Sequence, residues 1–251
     1  MRIDIVTTTR YPFSFENYAA CQVQRELQQF DVRIVPLDVF VQNLAHNPPD
    51  RTLSFEPFPE SLSDIYQVPH FHWECFSFER AAPLLSRLHT SVGYFEKKQE
   101  VHYITPAVER VERREEALFD VVSFTSLIEG EAPLVQSIHL FGEHQGKNLL
   151  VQYPQLSLHP PLPYVEKLHV LAQAKIAIVQ DAYLLPALAA GCTPLCAKTP
   201  FAIEVLGEES PFFFSHPEEQ VACFIKKREE LPSIEEYSWK KICKKLIEYM
   251  L

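Results

Sequence analysis

The chain has 251 residues, 47% of them hydrophobic and 22% charged, with 23 Lys and Arg against 33 Asp and Glu. That composition excludes disorder as the main state. A formal charge of -10 disfavours a nucleic-acid partner or an anionic membrane surface, either of which needs clustered Lys and Arg. The sequence has no apolar run of about 18 residues to span a bilayer, and its opening MRIDIVTTTR has no apolar signal core. The expectation is a soluble, cytoplasmic protein with no transmembrane segment.

Short apolar runs alternate with longer amphipathic stretches, the pattern of an α/β protein. Residues 2–7 (RIDIVT) read as a strand, and 16–30 as a helix on which Ala20, Val23, Leu27 and Phe30 share a face. Residues 31–37 read as a strand and the Pro- and Ser-rich stretch 47–62 as a loop. Strands are expected at 68–75, 90–95 and 120–124, and helices at 78–88 and 107–118. The charge run ERVERREE in the second of these helices reads as a solvated face with pairs such as Glu109 and Arg113.

The alternation then repeats. Strands are expected at 147–152, 176–180, 193–197 and 211–214, with a proline-rich loop, PQLSLHPPLP, after the first of them. Helices are expected at 165–174, 183–190 (ended by Gly191), 202–206, from the HPEEQ run to 225, and at 238–250. The pattern gives an α/β fold with two Rossmann-like parallel-sheet halves, drawn at 1–126 and 127–251.

Several chemistries are excluded by what is missing. The sequence has no G-x-S-x-G elbow, no Walker A loop and no G-x-G-x-x-G, and only six glycines in all. Six scattered cysteines form no paired CxxC set, so they read as buried free thiols. His70, His72 and Glu74 alternate, and on a strand they project from one face. That trio would need further ligands to hold zinc. The alternatives are a general base, since imidazole titrates near neutrality, or a packed and hydrogen-bonded pair.

The most specific stretch runs from Val165 to the end. AKIAIVQ, LPALAAGCTPL, PFAIEVLGEES, FFFSHPEEQ and YSWKKICKKLIEY occur in this order over about 85 residues. In order and spacing they resemble the nucleotide-sugar half of GT-B glycosyltransferases, especially the retaining family that includes sucrose and glycogen synthases. RIDIVTTT, DVRIVPLD, VPHFHWE and SFTS resemble that fold's acceptor half more loosely.

The resemblance implies a compact GT-B-like enzyme with an N-terminal acceptor side and a C-terminal nucleotide-sugar side. It implies transfer of a hexose from a nucleoside-diphosphate sugar to a carbohydrate or other hydroxyl acceptor. No metal and no cofactor beyond the donor substrate is implied. Asp181, with Ala182 and Tyr183, falls on the donor segment between a strand and a helix, and Glu204 on the E-V-L-G piece. Lys147 in HQGKN and Lys198 in CAKTP are the candidate diphosphate partners, and His72 and Arg10 the groups for the reacting centre. The family's second carboxylate falls on Pro186 or Ala189, depending on register. A catalytically inactive binding or scaffold protein of the same fold is therefore the alternative.

Overall fold

The computed structural model describes residues 1–7, 14–55, 68–74, 84–88, 99–113, 116–124, 137–142, 156–214 and 231–251. By contacts the chain divides into two units, Met1–Ala107 with Tyr237–Leu251, and Val108–Glu236. Each carries its own sheet.

The first unit begins with β1 (Arg2–Thr7), α1 (Phe15–Glu26), β2 (Asp31–Pro36) and α2 (Leu37–Leu44). It continues with β3 (Arg51–Ser54), β4 (His70–Glu74), β5 (Leu84–Leu88) and β6 (Gln99–Tyr103). The strand order is β2-β1-β3-β4-β5-β6, with the first four parallel and the last two added antiparallel. Strand alternation sorts β1 cleanly. Ile3 and Ile5 enter a core with Leu53, Phe71 and Trp73, while Val6 joins Phe40, Leu44 and Val68 of a second cluster. Ser14 caps α1 by accepting from the Asn17 N–H at 3.3 Å, and Ala19, Ala20 and Val23 of that helix are buried.

The last helix of the chain, labelled α6 here (Trp239–Met250), closes this same core with Trp239, Ile242, Cys243 and Leu246. The two tryptophans meet edge to face at 6.2 Å. Arg51 Nε donates to the carbonyl of Met250 at 2.9 Å, where a helix C-terminus offers acceptors and negative potential.

The second unit holds β7 (Phe119–Ser123), β8 (Ile138–Phe141), β9 (Leu156–His159), α3 (Tyr164–Ala172), β10 (Ala174–Ile178), α4 (Asp181–Ala189), β11 (Thr193–Leu195) and α5 (Pro200–Leu206). Its sheet is fully parallel in the order β11-β10-β7-β8-β9. Numbered within the unit, that order is 5-4-1-2-3, the dinucleotide-fold arrangement. An aliphatic cluster of Val121, Ile138, Leu140, Leu156, Ile176, Ile178 and Leu195 forms its core.

Several expectations change. Residues 84–88, expected to be helical, form β5, because antiparallel pairing with β4 overrides the helix propensity of LLSRL. Residues 107–113 form no helix. Val111 instead donates to Ala189 O and Arg113 to Gly191 O, so this segment caps the carbonyl end of α4. Two expected loops contain strands, β3 and β9, each of four residues. Residues 211–214 make only an isolated bridge, Cys196 to Phe213. The strand expected at 120–124 in the first half is β7, which pairs with β8 and β10 of the second sheet. Strands expected at 90–95 and 147–152, and the helix through 225, lie outside the described residues.

Gly191 ends α4 as expected, at φ +66°, where L side chains are disfavoured. Of the cysteines, Cys192, Cys196 and Cys243 are buried free thiols, whereas Cys21 is exposed on α1. Among the described residues, no helix is long and apolar enough to cross a membrane.

Candidate functional site

In a doubly wound sheet, ligands bind outside the carboxyl ends of the strands where the strand order reverses. In the second unit that reversal lies between β7 and β10. The chain leaves β7 at Ser123 into Phe124, and leaves β10 through Val179 and Gln180 into Asp181, the first residue of α4.

Asp181 is half-buried there, and its Oδ1 accepts from the Thr199 hydroxyl at 2.7 Å. Burial raises the carboxyl above its ordinary value, and the Thr199 hydrogen bond pulls it partly back. Thr199 also serves the backbone, because its Oγ1 accepts from Ala202 N–H at 3.0 Å and caps α5. One hydroxyl thus ties the start of α4 to the start of α5. Lys198 is the residue before this tie; it is exposed, with its Nζ 5.9 Å from the Phe213 ring centre.

Tyr183, in the first turn of α4, accepts at its OH from Lys167 Nζ at 2.7 Å. The same ammonium lies 5.0 Å from the Tyr183 ring centre and 5.8 Å from that of Phe124. From there a row of rings follows the carboxyl ends of the strands. Tyr183 to Phe124 is 5.2 Å, Phe124 to Phe141 is 5.7 Å, and Phe141 stacks on His159 at 4.4 Å. His159 in turn hydrogen-bonds His139 at 2.8 Å. Burial and the neighbouring His159 hold His139 below its usual value.

Of the donor-side expectations, Asp181, Ala182 and Tyr183 thus fall together on the first turn of α4, and Lys198 adjoins the residue that holds Asp181. Glu204 is exposed on α5. Pro186 and Ala189, the two positions where a second carboxylate is expected, are both buried within α4. Pro186 also has no N–H for the carbonyl of Ala182 one turn earlier. Burial, with the Asp181 charge, pushes the neighbouring Cys196 thiol up to about 12, which favours its protonated form. Arg10 and Lys147 lie outside the described residues.

Two residues of this site are absent from the sequence reading, Lys167 and Thr199. The signal for Lys167 is positional: α3 follows β9, so its first turn begins at the carboxyl edge of the sheet. For Thr199 it is the T-P pair opening PFAIEVL, an N-cap followed by Pro at the first helical position.

In the first unit, His72 is half-buried near the carboxyl end of β4. It and His70 project from one face of the strand, as expected, and both reach Ser54 of β3 at 3.1 Å. His70 is fully buried, with Thr52 on its other ring nitrogen at 2.7 Å. Among the described residues, no group of three or more His, Cys, Asp or Glu is arranged to hold a metal ion.

No protein-family model matches the sequence, and neither does any curated protein. Solved structures do match the fold. The chain is similar to AviGT4, a glycosyltransferase involved in avilamycin A biosynthesis, at 10% identity and a TM-score of 0.61, over 99% of this chain and 96% of that one. It is similar to UDP-GlcNAc 2-epimerase from Methanocaldococcus jannaschii at 8% identity and a TM-score of 0.61, over 100% and 99% of the two chains. The same epimerase in complex with UDP-GlcNAc and UDP matches at 10% identity and a TM-score of 0.58, over 100% and 99%. At these identities the likeness establishes the α/β fold of two Rossmann-like units. It does not extend to the retaining sucrose and glycogen synthase family.

Proposed function

We propose that the protein is a GT-B glycosyltransferase that moves a hexose from a nucleoside-diphosphate sugar to a hydroxyl acceptor, without a metal. The observation that carries this reading is the Asp181–Thr199 pair at the strand-order reversal of the second sheet, with Lys167 and Tyr183 beside it. The first turn of α4 directs backbone N–H groups and a positive potential toward an anion. Lys167, Lys198 and Lys147 are the cations available to a diphosphate. A carboxyl held by one hydroxyl keeps further acceptor sites for sugar or ribose hydroxyls, a role Asp181 shares with Glu204. Phe124 and Tyr183 offer half-buried ring surface to the flat parts of the donor.

In the reaction the acceptor oxygen bonds to the anomeric carbon as the bond from that carbon to the phosphate oxygen breaks. The diphosphate leaves with the electron pair, stabilised by lysines and α4. Placing fixed charge where charge develops is the largest usual contribution to such catalysis. We assign the acceptor proton to His72, and Arg10 to the stabilisation of the reacting groups.

The buried Pro186 and Ala189 favour a second reading, a protein of this fold that binds a nucleotide sugar and transfers nothing. One set of measurements separates the two. Thermal shifts with UDP, GDP, ADP and their sugar conjugates identify the donor, since ligand that binds only the folded state raises its stability. Asp181→Ala is expected to weaken the sugar conjugate about 10- to 100-fold relative to the bare nucleotide, the loss of one hydrogen bond to a charged group. Release of nucleoside diphosphate with an acceptor panel, unaffected by EDTA, supports transfer. Binding without release favours the second reading, and no shift with any nucleotide at millimolar concentration sinks both.

A further inference from the structure

Lys167, Tyr183 and Phe124 come from three elements and meet at the carboxyl edge of the second sheet. Lys167 lies near the start of α3, Tyr183 in the first turn of α4, and Phe124 directly after β7. Side chains lean toward the N-terminus of their helix, which carries Lys167 and Tyr183 to that edge. All three residues are half-buried.

The hydrogen-bond direction in this cluster is fixed by chemistry. An ammonium only donates, so the 2.7 Å contact runs from Lys167 Nζ to the Tyr183 oxygen. Two ammonium protons and the phenol proton are then left for other acceptors. Among the described residues, Lys167 has no acidic partner and the Tyr183 hydroxyl has no acceptor for its proton. Asp181, two residues before Tyr183, is taken by Thr199 instead. The Tyr183 and Phe124 rings lie 5.0 and 5.8 Å from Nζ, attracting the ammonium without neutralising it. Lys175, by contrast, is spent on Asp120 at 2.6 Å, and Lys198 is exposed, where water and salt screen its charge. A half-buried cation with no counter-charge gains more from an anion than either of these.

We propose that Lys167 and Tyr183 form a two-donor clamp for one phosphate group, and that the clamp makes this site prefer diphosphates to monophosphates. The carrier of that phosphate, a nucleoside-diphosphate sugar, rests on the glycosyltransferase reading; the clamp does not. Tyr183 has two parts in it. Its oxygen holds the ammonium in place, which removes part of the ordering cost that a free lysine pays on binding. Its proton adds a neutral donor. The two donor atoms are only 2.7 Å apart, so they serve a single phosphate group. A second phosphate finds its donors at the start of α4, where Gln180 makes no side-chain cap and a ligand can take the first N–H groups.

The first test is a titration of the full-length protein with inorganic pyrophosphate, inorganic phosphate and sulfate at constant ionic strength. It is read by carbon-13 NMR of the lysine ε-methylenes, with the Lys167 signal identified by its loss in Lys167→Met. The expected result is a saturable shift of Lys167 with pyrophosphate and a smaller one with phosphate. Absence of any saturable lysine shift in the unaltered protein overturns the clamp without the need of a variant. Equal shifts in all three salts mean an adventitious ion only, and overturn it too.

Calorimetric titrations with UDP and UMP, GDP and GMP, and ADP and AMP then measure the preference. Lys167→Met should weaken the diphosphate that binds about 10- to 100-fold, the loss of a hydrogen bond to a charged group, and its monophosphate about threefold or less. Tyr183→Phe should weaken the same diphosphate about 3- to 10-fold. Lys167→Arg keeps the charge and should lose less than Lys167→Met. Lys244→Met removes the same charge from an exposed position on α6 and should stay within about twofold of the parent. Equal losses for diphosphate and monophosphate in Lys167→Met overturn the preference. Unchanged affinity in both Lys167→Met and Tyr183→Phe overturns the clamp and leaves the glycosyltransferase reading standing on Asp181. Pyrophosphate binding at Lys167 with no nucleotide binding overturns the glycosyltransferase reading and leaves the clamp standing.

Discussion

The two sheets carry their polar groups in different ways. In the first unit Thr52, Ser54 and His70 sit on the strands themselves, buried and hydrogen-bonded to one another across neighbouring strands. In the second unit Asp181, Tyr183, Lys167 and Thr199 sit where helices begin, half-buried and joined in pairs. A group on a strand inherits the precision of the sheet register. A group at a helix start keeps bonding capacity in reserve and adjoins the helix potential. The first arrangement is fixed by the sheet; on the glycosyltransferase reading proposed above, the second grips an anion with hydroxyls attached.

The cores differ in the same sense, and this gives the largest test of the comparison. Both tryptophans of the chain, Trp73 and Trp239, lie in the first core, whereas the second is aliphatic. Trp73 is fully buried, packs on Phe55 at 5.5 Å and donates to Ile104 O at 3.3 Å. Trp73→Ala should destabilise the first unit by about 3–5 kcal/mol, from lost transfer energy and the cavity left behind. Urea unfolding followed by Trp239 fluorescence reads that unit alone. An unchanged midpoint would break the assignment of both rings to one core.

Next in size is the acid response of the buried His70. The folded-state value of His70 lies below the ordinary 6.5, at about 3, so the unfolded chain binds a proton that the folded one refuses. Stability is therefore complete above pH 6.5 and falls as pH drops toward 3, at up to about 1.4 kcal/mol per pH unit. Asp4 and Asp181, raised by burial, act in the opposite direction in the acid range, so the difference between variants is the useful quantity. His70→Gln should flatten the acid slope of the denaturation midpoint between pH 6.5 and 4. An unaltered slope would mean that His70 already titrates in the fold.

The smallest effect sharpens the second unit. Thr199→Val removes the cap of α5 and the donor to Asp181 together, at a cost of about 1 kcal/mol in stability. It should also raise the Asp181 carboxyl further, because the bond it removes favours the charged form. Carboxyl-carbon NMR titration reads that shift, and a fall in the Asp181 value would contradict the geometry.

Much of the fold is legible in the residues. RIDIVT alternates so that Ile3 and Ile5 share one side; AKIAIVQ-DAYLLPALAAG reads as strand, turn and helix, with Gly191 as its stop. The position of Asp181 at a strand–helix junction follows from that pattern alone, and so does the shared face of His70 and His72. The short strands RTLS and LSLH are illegible for a physical reason. Four residues between prolines and polar groups hold no periodicity, and each is a strand only because a parallel neighbour supplies its hydrogen bonds. LLSRL and the run from Ala107 misled in the other direction, since their composition favours helix and their partners do not.

By itself, then, the sequence determined the α/β class, the strand–helix junction at Asp181 and the alternation of the two histidines. Those features depend on local spacing, which one segment contains in full. Tertiary structure decided strand order and register. Strand order sets the carboxyl ends of β7 and β10 side by side at the reversal, and contacts group the last helix with the first core. Register sets Thr52 and Ser54 against His70 and His72, and Thr199 reaches Asp181 across a helix–strand turn of 18 residues. A contact between distant segments costs chain entropy that only the whole fold repays, so no local pattern announces it.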